Sequence, residues 1–259
     1  MTVDPAMTEP VVIAHVSDLH LGAHVPAAVD SLADEVAAFR PDLVVVTGDH
    51  TMRARPGEFR QAADLLDKLP APRLVVPGNH DLPLVSPLRV IAPYARYRRW
   101  IGPDDVTARV PGVTALGIDS MPWWRWKSGR VTRPQAEAVR DVLGRASPAD
   151  VRLVAMHHPP FAGGPQRLAG RRRFARALGL AEVDLLLAGH THVPAVRAYG
   201  RLLVVVAGTA TSYRVRDVPR SWTMLRILPD AIETHERCES TPGAWQTGRV
   251  SRHPRHRRS

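Results

Sequence analysis

Five short apolar runs in this chain each break off at a cluster of Asp, His or Asn. Val11–Val16 runs into Ser17-Asp18-Leu19-His20, Leu43–Val46 into Gly48-Asp49-His50, and Leu74–Val76 into Gly78-Asn79-His80-Asp81. Val151–Met156 runs into His157-His158-Pro159, and Val183–Ala188 into Gly189-His190-Thr191-His192. Short runs rich in Val, Leu and Ile read as strands buried on both faces. Helical stripes separate them. Val29, Leu32, Ala33 and Val36 follow the i, i+3, i+4, i+7 spacing, and Phe59, Ala62, Ala63 and Leu66 repeat the pattern after Pro56-Gly57. A strand over Val113–Ile118 and helices over about 134–143 and 174–178 extend the alternation. Alternation of this kind builds parallel sheet, and in open α/β sheets binding groups gather at the carboxyl ends of the strands. Five polar ends can therefore meet in one crevice.

After His192 the helices stop. Strands are expected at about 201–207, 211–215, 222–228 and 231–236, which gives a layered α/β domain with a parallel part and an antiparallel part. The expected organisation is a flexible segment over 1–10, one domain over 11–240 and a basic, disordered tail over 241–259. Five arginines and no acid in Trp245–Ser259 supply half of the net charge of +10, so the charge speaks for a solvated tail more than for a basic binding face. Nucleic acid is accordingly disfavoured as a partner. The 44% hydrophobic and 23% charged residues are those of an ordinary globular protein. The single cysteine, Cys238, excludes an internal disulfide and a thiolate metal cluster. No apolar run approaches the roughly 18 residues of a membrane span, and the start lacks a signal-peptide pattern. The expected location is cytoplasmic, with no membrane partner.

The chain uses arginine almost to the exclusion of lysine, and Asn79 is its only asparagine. Both depletions fit a GC-rich genome, which makes an asparagine inside the third polar cluster conspicuous. Each cluster alone is weak, because Asp-x-His and His-x-His arise by chance in a chain with 12 histidines. Together they supply two Asp, one Asn and several His, a mixed oxygen and nitrogen donor set suited to Mn, Fe, Zn or Co. Seven or more donors exceed what one tetrahedral ion takes, and a carboxylate bridging two ions accounts for the surplus. His15, in mid-strand, reads as a satisfied core histidine.

The ordered set D-x-H, G-D, G-N-H-D, H and G-H-x-H resembles the calcineurin-like metallophosphoesterase superfamily over about residues 11–210. The HHPP segment and the Trp-x-x-Gly pattern at Trp126 and Gly129 are most similar to bacterial class III cyclic-nucleotide phosphodiesterases. The resemblance implies a four-layer αββα sandwich with mixed parallel and antiparallel sheets. It implies two divalent or trivalent metal ions (Mn, Fe or Zn), one held by Asp18, His20 and His192, the other by Asn79, His157 and His190, with Asp49 bridging. By the same resemblance His80 acts on the leaving group and Asp81 orients its ring, while water activated by the ions attacks phosphorus. His158 and His24 are candidate substrate contacts, each weighed against a plain structural role. His50 departs from the apolar residue usual after the G-D pair, and either points away from the metals or touches a ligand.

The implied activity is a phosphohydrolase acting on a small phosphodiester of the cyclic-nucleotide or glycerophosphodiester type. Alternatives are a phosphomonoesterase or nucleotide-pyrophosphate hydrolase, and, in another class, a nuclease or nucleic-acid-binding protein using the tail. Trp123, Trp124 and Trp126, interleaved with Arg125 and Lys127, either stack a base or bind an anion, or else pack against the core or build an interface. Gly163–Arg173 reads either as a cationic lid or as a solvated helix start. The partner is a small phosphoester substrate, and the chain is a monomer or homodimer.

Overall fold

The computed structural model describes residues 9–161, 163–164, 167–256 and 258. The expected flexible segment over 1–10 falls almost wholly outside them. The first sheet places β1 (Val11–Val16), β2 (Leu43–Thr47) and β3 (Arg73–Val76) side by side and parallel. It continues antiparallel through β10 (Ser221–Ile227), β11 (Ala231–Thr241) and β12 (Ala244–Pro254), in the order β12-β11-β10-β1-β2-β3. In the second sheet β5 (Val113–Ile118), β6 (Val151–Met156), β7 (Leu185–Ala188) and β9 (Leu202–Val206) are parallel. Antiparallel β4 (Thr107–Val110) and β8 (Ala195–Tyr199) close its two edges.

The strand alternation fixes the layers. In β2, Leu43 and Val45 face Leu153, Leu185 and Val205 of the other sheet, forming an apolar slab between the sheets. Val44 and Val46 point the opposite way, onto Leu32, Val36, Ala62 and Leu66. These last belong to α1 (Pro26–Ala38) and α2 (Pro56–Lys68). On the far side, Val154, Met156 and Leu186 cover Val139, Leu143, Phe174 and Leu178 of α5 (Arg133–Leu143) and α6 (Arg171–Leu180). The result is helix, sheet, sheet, helix, as the resemblance implies. Burying a Leu or Val side chain in such a layer contributes about 1.5–3 kcal/mol, and each central strand contributes to both of its faces. Helix α5 begins at a reciprocal cap: Gln135 N donates to Thr132 Oγ1 while Gln135 Oε1 accepts from Thr132 N.

Among its described residues the basic tail is not disordered. Residues 244–254 form an edge strand laddered to β11 through a turn at Thr241–Ala244. The sequence hid this strand because its side chains are mostly exposed and lack an apolar alternation. Backbone pairing and charge hold it. Arg252 pairs with Glu233 at 2.8 Å and Asp230 at 2.9 Å, and Trp245 Nε1 donates to Ser31 Oγ. Arg258 reaches Asp184 at 2.6 Å; Arg257 and Ser259 lie outside the described residues. The strand expected at 211–215 is instead a loop, joined to the segment after the first polar cluster by an isolated bridge between Ser212 and His24. Short helices α3 (Leu88–Ile91) and α4 (Ala95–Trp100), with strands β4 and β8, carried no readable period and were not anticipated. Among the described residues no helix is long and apolar enough to cross a membrane.

Candidate metal centre

The five polar clusters follow β1, β2, β3, β6 and β7, all at carboxyl ends of parallel strands, and the two sheets bring those ends together. His157, from the second sheet, donates from Nδ1 to the Thr47 carbonyl of the first at 2.7 Å. Local backbone geometry turns the donors inward. Asp18, His20, Asp49, His190 and His192 all have φ between 50° and 73°, the left-handed region. That conformation costs a side-chain-bearing residue about 1–2 kcal/mol, and a web of hydrogen bonds offsets it. Asp18 N donates to Gly48 O at 3.0 Å, His20 N to Asp49 O at 2.8 Å, and His190 N to Asp18 Oδ2 at 3.0 Å. Thr209 Oγ1 and Thr211 Oγ1 bind the carbonyls of Asp18 and Leu19 from the loop after β9. Gly189 is required by contact, since a Cβ there would lie 1.9 Å from Ser17 Oγ.

Two donor groups share one carboxylate. In the first, Asp18 Oδ1 lies 3.2 Å from His192 Nε2 and 3.6 Å from His20 Nε2, and the two Nε2 atoms are 3.0 Å apart. In the second, Asn79 Oδ1 lies 3.2 Å from His157 Nε2 and 3.1 Å from His190 Nδ1. Asp49 Oδ2 stands between them, 3.3 Å from His157 Nε2 and 3.7 Å from His20 Nε2. Its other oxygen, Oδ1, accepts the His80 backbone N–H at 2.8 Å.

The donor chemistry fits cations. Because Nδ1 of His157 faces the Thr47 carbonyl and Nδ1 of His192 faces the Arg214 carbonyl at 2.7 Å, both carry protons there, and Nε2 is the nitrogen that offers a lone pair to the site when its own proton is displaced. Those Nε2 atoms converge on carboxylate oxygens, and Asp18 Oδ1 is buried with no hydrogen-bond partner. Only a positive charge satisfies such a cluster. Burial alone would raise both carboxyls. His192 and His20 around Asp18, and His157, His80 and His20 around Asp49, outweigh it and hold both well below the usual carboxylate range. His157 feels the converse: burial works against its charged form, but Asp49 pushes it up to about 9.

His80 lies beside the cluster, its ring edge-on to His20 with centroids 4.8 Å apart. Nδ1 donates to the Met52 carbonyl at 2.7 Å, which leaves Nε2 directed elsewhere, 3.3 Å from Arg214 Nη1. The expectation that Asp81 orients this ring does not hold. Asp81 is buried and spends its oxygens on Gly78 N, Thr51 N and Oγ1, and His50 Nδ1, the last at 2.9 Å. His50, the departure noted in the sequence, is thus the buried partner of Asp81 and is absent from both donor groups. Burial raises the Asp81 carboxyl, yet His50 draws it below its ordinary value.

His158 is also displaced from its expected role. Its ring is fully buried, with Nδ1 against Ser120 Oγ at 2.9 Å and Nε2 against the Lys127 carbonyl at 3.0 Å, so neither nitrogen is left for a substrate. It anchors the loop that carries Trp123, Trp124 and Trp126. These are not core residues: they are 38%, 49% and 53% exposed, with Arg89 over Trp126 and Arg130 over Trp124. His24 accepts from Gly22 N within its own loop and makes no contact with the donor groups among the described residues. His15 is a core histidine bonded to Thr47 Oγ1 at 2.9 Å. The lid reading of Gly163–Arg173 involves Pro165 and Gln166, which lie outside the described residues; Arg171–Arg173 open α6. Sequence reasoning missed Arg214 and the supporting Thr209 and Thr211. The threonines follow an apolar run as the other polar clusters do, whereas Arg214 had no signal inside an expected strand.

The chain is 26% identical over 262 residues to a cAMP/cGMP dual specificity phosphodiesterase of Mycobacterium tuberculosis, covering 85% of this chain and 77% of that one. It is 27% identical over 226 residues to a glycerophosphodiester phosphodiesterase of Enterobacter lignolyticus, covering 78% of each. In fold alone it matches purple acid phosphatase from yellow lupin seeds, with a TM-score of 0.73 at 11% identity over 97% of this chain and 55% of the lupin chain. The family model for calcineurin-like phosphoesterases matches residues 11–194, more than half of the sequence, and the chain belongs to that family of metal-dependent phosphoester hydrolases.

Proposed function

We propose that this protein hydrolyses small phosphodiesters, of the cyclic-nucleotide or glycerophosphodiester type, at a centre of two metal ions bridged by Asp49. The observation that carries the reading is Asp49 Oδ2, which lies within reach of both donor groups. Asp18, His20 and His192 would hold one ion, and Asn79, His157 and His190 the other. Mn, Fe and Zn all suit donors of this kind. When bound, two such ions lower the pKa of a water and neutralise charge on the phosphoryl oxygens.

The chain's own residues supply the rest. The Thr47 and Arg214 carbonyls fix the tautomers of His157 and His192 and keep their lone pairs inward. Asn79 contributes a neutral carbonyl oxygen where a third carboxylate would add repulsion to Asp18 and Asp49. His80 is held at both ends, by its backbone N–H on Asp49 and by Nδ1 on Met52. Nε2 is therefore the atom that faces the departing oxygen and, once the ring has taken up a second proton from solvent, hands it to the alkoxide, a contribution of about 10²–10⁴-fold for a positioned acid. The names of the two relatives, both diesterases, support a diester substrate.

Hydrolysis of bis-p-nitrophenyl phosphate and p-nitrophenyl phosphate, side by side with added Mn²⁺ and with Asp49→Ala as blank, tests the reading. Preference for the diester, absent in Asp49→Ala, is expected. Preference for the monoester refutes the diester assignment, and equal turnover by Asp49→Ala refutes the site.

A further inference from the structure

The loop after β9 brings one arginine to the donor cluster, and nothing in the metal-binding scheme uses its side chain. Arg214 is half-buried, and its backbone carbonyl already accepts from His192 Nδ1 at 2.7 Å. Its backbone N–H is fixed by Ser212 Oγ at 3.1 Å, and Thr209 Oγ1 braces Ser212 N at 3.3 Å. The guanidinium is therefore carried on backbone tied down beside a metal ligand. Among the described residues Nη1 reaches two acceptors only: His80 Nε2 at 3.3 Å and the Met52 sulfur at 3.5 Å. Among the described residues it forms no ion pair with a carboxylate. This contrasts with Arg98, Arg152, Arg201, Arg220, Arg237 and Arg252, each of which has one.

An imidazole lone pair and a thioether are poor partners for a guanidinium, which has five donors in a planar fork shaped for two oxygens of one anion. The ring it touches is the one placed to serve the leaving group. An anionic oxygen entering between His80 and the donor cluster would therefore meet this fork. We infer that Arg214 is a substrate-binding residue: its guanidinium takes the non-bridging oxygens of the phosphoryl group, exchanging its contact with His80 Nε2 for charge-assisted bonds to the anion. The exchange leaves Nε2 free for the departing oxygen.

The inference rests on the proposed phosphoesterase reading and fails separately from it. The test compares Mn²⁺-loaded wild type, Arg214→Lys, Arg214→Ala and Arg216→Ala, the last an exposed arginine two residues along the same loop. Metal content is measured on each, inorganic phosphate binding is measured by calorimetry, and kcat and KM are measured on bis-p-nitrophenyl phosphate. Metal content should be unchanged, because the carbonyl that holds His192 survives every substitution. Arg214→Ala should bind phosphate about 10- to 100-fold more weakly, the size of one lost charge-assisted contact. Arg214→Lys should recover part of that loss, and Arg216→Ala should match wild type. Phosphate affinity in Arg214→Ala equal to wild type, or an equal loss in Arg216→Ala, overturns the assignment. Wild-type protein that hydrolyses neither ester would instead overturn the reading of the site.

Discussion

Gly78 is where the account of this centre is most exposed to a small perturbation. The residue lies two positions past β3 and against the Asp49 carboxylate: a Cβ at this position would stand 2.2 Å from Asp49 Oδ1 and 2.3 Å from Asp49 N, where real Cβ contacts essentially never fall below 3.0 Å. Gly78→Ala therefore forces the two backbones apart by most of an ångström. Oδ1 is the oxygen that seats the His80 N–H, and Oδ2 is the one shared between the donor groups. Both functions of Asp49 move together. Misplacement by about 1 Å in such a site costs on the order of 10²-fold in rate. Overpacking costs about 1–3 kcal/mol, which for a chain of this size lowers the melting temperature by roughly 2–12 °C. The assay is diester hydrolysis at saturating Mn²⁺, with metal content and calorimetric melting on the same samples. Gly179→Ala is the control, because a Cβ there meets nothing within 4 Å, and it should be neutral or slightly stabilising. A Gly78→Ala protein with wild-type rate, metal content and melting temperature would show that the backbone around Asp49 is slack, and the rigidity argued for this centre would be wrong.

Two further substitutions separate structure from chemistry. His50→Leu leaves the Asp81 carboxylate buried without its hydrogen-bonding partner, so unfolding at pH 7 should show a loss of about 1–3 kcal/mol with near-normal metal content. Because His50 depresses the Asp81 carboxyl, the stability it confers is present above the ordinary carboxylate pKa and is lost as pH falls through the depressed value. The gap between wild type and variant should therefore close in acid, and a gap independent of pH would refute the pairing. His80→Ala should retain metal while kcat on the diester falls about 10²–10⁴-fold; unchanged kcat would remove His80 from the reaction.

What the sequence made legible follows a physical division. The parallel strands and their flanking helices were readable because burial on two faces, or along one stripe, imposes a period on the residues. Val44 and Val45 belong to different layers, and only a strand explains both being apolar. The donor set was readable because the carboxyl ends of such strands are where polar residues interrupt apolar runs. Strand β12 was not readable: an edge strand with a largely solvated surface needs only backbone pairing and cross-strand charges such as Arg252 with Glu233, and these leave no apolar period. Pairings across the fold were equally silent. Nothing local to Asp81 says that His50 claims it, and adjacency in the chain made His80 look like its partner. Nor does the sequence say which ring of the His157-His158 pair is spent elsewhere: His158 packs beside the second donor group, its centroid 4.5 Å from that of His190, while its nitrogens face Ser120 and Lys127.

The central claim is that Asp49 joins two metal ions, and the most direct measurement is electron paramagnetic resonance of the protein titrated with Mn²⁺. The account predicts binding of two ions per chain and, as the second fills, replacement of the isolated six-line signal by the broadened, multiline spectrum of a spin-coupled pair, with no coupled signal in Asp49→Ala. Saturation at one ion, or two ions that keep independent six-line spectra, would contradict a shared carboxylate and with it the proposed centre.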